Sequence, residues 1–176
     1  IITALISTTI GATIGTITGS FWHPLKSFSN DWISWYVGDL LGIILVAPMF
    51  IAWNSKETRS LFRIDYKKRF EFFLLLSGVV FTSLLVFSNF SGLGKVDNFL
   101  ISPLLLWAAL RFGLFGSSLS TFIITIIAIW HSKEGYGEFY STKATLAENL
   151  LSLQAYLITV SLSINTLAII IARQRK

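Results

Sequence analysis

At 176 residues, 53% hydrophobic and only 13% charged, the chain has too few charged side chains to clothe a water-soluble domain, which argues against a soluble globular fold. With no cysteine there are no disulfides, thiolate metal sites or cysteine nucleophiles. The formal net charge of +5 is no sign of a nucleic-acid partner, because the basic residues are distributed by connection.

Charge-free runs cover 1–21, 40–54, 72–94, 112–132 and 149–172. Several are long enough to cross a hydrocarbon core of roughly 30 Å at about 1.5 Å of helix rise per residue. The predicted fold is all-α, an integral membrane multispan helical bundle with about six transmembrane segments. They lie near 1–22, 33–53, 70–88, 98–110, 112–131 and 149–171. The chain opens without Met or a basic n-region, so the first run does not read as a signal peptide, and an upstream segment is expected to have been removed.

The first span carries Gly11, Gly15 and Gly19 on one face, where backbones can approach closely. This predicts a packing seam with a neighbouring helix in preference to a dimer interface. In the second span, Asp39 is the one acidic residue placed clearly inside a membrane segment. A carboxylate there must face the bundle interior or a wet cavity, find a donor, or hold a proton. A structural hydrogen bond and a role in sensing, proton handling or ligand binding are both open readings.

Between the second and third spans, Lys56, Arg59, Arg63, Lys67, Lys68 and Arg69 outweigh Glu57, Asp65 and Glu71, so this connection is predicted to be cytoplasmic. Alternation puts Arg111 and the tail Arg173, Arg175 and Lys176 on the same side, ten of the fourteen basic residues in all. Lys26, Lys95, Lys133 and Lys143 fall opposite. The fourth span is short, contains Pro103 and stops at Arg111. Either Arg111 snorkels to the interface, or the fourth and fifth spans form a re-entrant hairpin.

Trp22, Trp32, Trp35, Tyr36, Trp53, Trp107 and Trp130 fall near predicted span ends, as an interfacial aromatic belt requires. An aromatic cage for a cation is the alternative reading. The last span places Gln154, Ser161 and Asn165 on nearly one face, predicted to look inward. That face serves either plain bundle packing or a register-sensitive interface that transmits movement. The two histidines, His23 and His131, sit at the outer rim without metal-ligand spacing. No catalytic constellation, metal site or cofactor site is expected.

Three strings bear a resemblance to a known family: WYVGDLLGIILVAP at 35–48, SPLLLWAALRFGLFG at 102–116 and LLSLQAYL at 150–157. Together they resemble the MASE1 family, membrane-associated sensor domains of bacterial signalling proteins. Its members usually carry more helices than are predicted here, so the resemblance implies an N-terminally shortened domain. It further implies a transmembrane sensory domain over 1–172 in the bacterial inner membrane. Residues 173–176 then begin a cytoplasmic linker to a covalent output domain, a histidine kinase or a cyclic di-GMP enzyme.

The matching positions Gly38, Asp39, Gly42, Trp107, Arg111, Gly113 and Gln154, with Asn165 from the last span's polar face, are the candidate sensing or structural residues. Expected partners are the lipid bilayer and the output domain, with a homodimer or another membrane protein left open. No nucleic acid is expected. A transporter subunit using Asp39 for a proton or ion is the alternative, and a passive membrane anchor is a third.

Overall fold

The computed structural model describes residues 2–22, 28–54, 58, 66–88, 98–136, 139 and 146–174. Every regular element among them is helical: α1 (Ile2–Trp22), α2 (Phe28–Trp53), α3 (Tyr66–Phe87), a single 3-10 turn (Asn98–Leu100), α4 (Ile101–Lys133) and α5 (Leu146–Gln174). Among the described residues, four helical units are long and apolar enough to cross a membrane: Phe28–Trp53, Tyr66–Phe87, Asn98–Lys133 and Glu148–Gln174. The chain is an integral membrane protein.

The predicted count of six spans is not matched: four such units are found among the described residues, one of which holds both the fourth and the fifth predicted segments. The segments predicted at 98–110 and 112–131 both fall within the helical unit Asn98–Lys133, which runs through Arg111 and is interrupted by non-helical dihedral angles at Gly113. The first run folds as α1 but is not among the four. It carries six threonines and three glycines, and Thr8, Thr9, Thr13, Thr16 and Thr18 each bond a carbonyl of the preceding turn. Helices α2 and α3 also begin ahead of their predicted spans. Phe28–Asp31 and Tyr66–Arg69 extend the helix past the purely apolar stretch, and hydropathy marks only that stretch.

Helices α2, α4 and α5 pack against one another, with α1 added chiefly on α2 and α3 chiefly on α4. The shared core contains Leu41 and Leu45 of α2, Leu75 and Val79 of α3, Leu105, Phe112 and Ile124 of α4, and Leu153, Leu157 and Ala168 of α5. Large side chains such as Ile14, Phe73, Phe81 and Ile126 are exposed on the outside, which is the expected surface for a helix bundle standing in lipid. Helix α4 is not straight. Gly113 has φ 62° and ψ −151°, far from helical values, and divides it into limbs at 101–112 and 114–133. An L-residue with a Cβ essentially never occupies that region.

Candidate functional site

The predicted residues gather at two places on α5. The first is the seam of α1, α2 and α5. Helix α1 runs against α2 through Gly11, where an added Cβ would meet the Asp39 carboxylate at 2.6 Å, and Gly15, where it would meet the Trp35 ring at 3.0 Å. Gly19 has nothing within 4 Å, so two of the three glycines make the predicted intramolecular seam. Trp32 locks it by donating its indole N–H to the Thr13 hydroxyl at 3.1 Å and by stacking on Tyr36 at 5.2 Å.

On its other side α2 meets α5 at Gly38, whose Cβ position lies 3.2 Å from Gln154 Nε2. The Gln154 Oε1 is buried with no partner among the described residues. Adjacent positions on a helix point about 100° apart, so Asp39 and Gly38 address different neighbours. Asp39 thus lies against α1 and Gly38 against α5. Gly42 faces outward, with nothing near its Cβ position.

The second place is the break at Gly113. Arg111, just before it, donates Nε to Glu71 Oε2 at 2.9 Å, with Nη2 at 2.8 Å from the same oxygen. The pair is half-exposed (49% and 34%), so it contributes about 0–1 kcal/mol and serves mainly to hold position. Around it, Phe72 meets Phe112 edge-on at 5.1 Å and stacks on Phe115 at 6.0 Å, while Trp53 meets Phe115 edge-on at 5.4 Å. The last residue of α2, the first turns of α3 and the break of α4 thus share one end of the bundle. Arg111 joins the start of α3 there, in agreement with the predicted same-side placement.

One turn past the break, Ser117 donates to Asn165 Oδ1 of α5 at 2.9 Å. Asn165 is only 5% exposed, and its Nδ2 is buried without a partner among the described residues. Interhelical bonds of this kind contribute roughly 0.6–2 kcal/mol in lipid. Ser161 is also buried, so the Gln154, Ser161 and Asn165 face does look inward. A fixed helix would be expected to satisfy such groups, because each unpaired buried donor or acceptor costs about 1–3 kcal/mol. Two of them on one face leave α5 with polar capacity that another arrangement can use.

Trp107 is partly buried and packs against the core, one turn before Arg111. Trp35, Trp53 and Trp130 are exposed, as belt residues should be. His131 bonds through Nδ1 to the Ile127 carbonyl at 2.9 Å; His23 lies outside the described residues.

Sequence reasoning missed Glu71 and Ser117. Glu71 reads in sequence as one charge of a connection, and its partner lies forty residues on. Ser117 sits in a run of small residues, GSSLST, whose density of hydroxyls was the one available signal.

The family model described as MASE1 matches residues 1–175. No curated protein and no solved structure matches the chain.

Proposed function

The chain belongs to the MASE1 family of membrane-associated sensory domains, and we propose that it is the sensory input of a bacterial signal-transduction protein, relaying a stimulus along α5 to a cytoplasmic histidine kinase or cyclic di-GMP enzyme. The observation that carries the relay is the Ser117–Asn165 bond with its unpaired Nδ2. It ties the exit helix to the segment just beyond the Gly113 break while leaving α5 a second way to satisfy its polar face. A stimulus that favours one arrangement over the other shifts the population of both.

In the complete signalling protein, Asn165→Leu removes both polar atoms and is expected to fix the output. Kinase or cyclic di-GMP activity should then vary less than about twofold across conditions that move the unmodified protein about tenfold. Unchanged regulation in that variant, or in a chimera whose membrane part is an unrelated span bundle, would sink the reading.

The orientation proposed with it takes the two limbs of α4 on either side of Gly113 as separate crossings, and puts the Trp53, Glu71 and Arg111 end, and the chain's C-terminus, in the cytoplasm of a cell with this chain in its inner membrane. The native sequence lacks cysteine, so single replacements report cleanly. Lys133→Cys should react with a membrane-impermeant maleimide added outside. Lys68→Cys should react only after the membrane is permeabilised. The opposite pattern would invert the topology and detach α5 from a cytoplasmic output.

A further inference from the structure

The fold brings no counter-charge to Asp39. The residue is partly buried in the seam of α1 and α2 with Oδ2 set against Gly11, and among the described residues it makes no hydrogen bond and no ion pair. The helices packed on α2 are α1, α4 and α5. Helix α1 is free of charged residues. The basic side chains of the other two lie elsewhere: Arg111 is paired with Glu71, while His131 and Lys133 on α4 and Arg173 on α5 occupy the last turns. A carboxylate inside a span is costly to leave alone, so its partner has to come from outside these helices.

We propose that Asp39 and Trp35 form a site for a monovalent organic ammonium ion with an apolar tail. The two are four residues apart, so they share one face of α2, and they rest on α1 one turn apart: the Trp35 ring on Gly15, the Asp39 carboxylate on Gly11. One side of the indole is thereby covered by backbone, yet Trp35 is 50% exposed, which leaves the rest of the ring open. Trp32 and Tyr36 spend their facing surfaces on each other, stacked at 5.2 Å. An indole attracts a cation over its face, and a carboxylate accepts its N–H bonds. Depth selects the kind of cation. Asp39 stands about 16 Å along the span from Phe28, where an inorganic cation would shed its water for a single carboxylate. Among the described residues no group of three or more His, Asp or Glu side chains could hold a metal ion. An ammonium carrying its own apolar tail suits both the lipid around the seam and the one charge within it. The site does not depend on the signalling reading.

The test is equilibrium binding of radiolabelled n-octylammonium to the chain in phosphatidylcholine nanodiscs, with uptake by empty nanodiscs subtracted. Saturable uptake is expected, displaced by unlabelled octylammonium and about tenfold more weakly by octanol or octanoate, which keep the tail and lack the positive charge. Those competitors probe the unmodified chain and need no folded variant. Asp39→Asn keeps the shape of the side chain and should weaken binding by about tenfold. Trp35→Leu should weaken it by about threefold to tenfold, with Trp35→Phe retaining most of it. Octanol that displaces as well as octylammonium overturns the proposal and marks an apolar crevice only. So does an absence of saturable uptake by the unmodified chain, or binding unmoved by Asp39→Asn.

Discussion

Gly113→Ala is expected to destabilise the domain by about 1–3 kcal/mol and to uncouple the two contacts that flank the break. The cause is backbone geometry. At φ 62° and ψ −151° a Cβ is strained whatever space surrounds it, so the variant must either bear that strain or straighten α4 toward helical values. Straightening would swing the limb carrying Arg111 away from the limb carrying Ser117. It would also open the close packing at Gly116, where an added Cβ already collides with the Phe112 side chain. Thermal unfolding in detergent, followed by the loss of monodisperse protein, should show a lowered midpoint for Gly113→Ala. Gly116→Ala should move in the same direction. A midpoint within error of the unmodified chain for both would mean that the break is not a fixed feature of the fold.

Gly38→Leu and Gly42→Leu, one turn apart on α2, should behave oppositely. The Cβ position of Gly38 is 3.2 Å from the Gln154 amide nitrogen, so a branched side chain there must displace the Gln154 side chain or push α5 away. Overpacking of this kind costs about 1–3 kcal/mol. Gly42 is open, and Gly42→Leu should stay within about 0.5 kcal/mol of the unmodified chain. Removing the obstructed partner tests the assignment directly: adding Gln154→Ala to Gly38→Leu should restore most of the lost stability. A double variant no better than Gly38→Leu alone would mean the penalty arises elsewhere. Because Gly38 faces the exit helix, its large substitution should also disturb output in a full signalling protein.

The apolar segments were legible because each spans enough charge-free sequence to show above its surroundings. Helix type, approximate position and the inward face of α5 follow from that pattern and from a period near 3.6 residues. Helix ends were less legible. Residues such as Asn30, Asp31, Lys67 and Lys68 are polar yet helical, since a spanning helix keeps its hydrogen-bonded ladder as it leaves the hydrocarbon.

Hydropathy puts the break in α4 near Arg111, because a charge looks like the end of a span. The actual discontinuity is at Gly113, two residues later, and depends on one residue's dihedral angles, which hydropathy does not register. Contacts were the least legible. Glycine spacing on α1 indicated a close approach but not that Asp39 and Trp35 would fill it. The Arg111–Glu71 pair joins residues far apart in sequence, and nothing local to either announces the other. Gly42 and Gly38 belong to the same motif, and only the position of α5 distinguishes them.

The hydroxyls that α1 folds back onto its own carbonyls bear on how the domain is made. A segment whose hydroxyls already bond its own carbonyls meets less polar penalty against an apolar surface, so α1 need not wait for α2 to be satisfied as a helix. Forming α1 and docking it become separable events. The glycine face is then the mating surface for the second event, completed when Trp32 and Asp39 emerge and the two helices zip together.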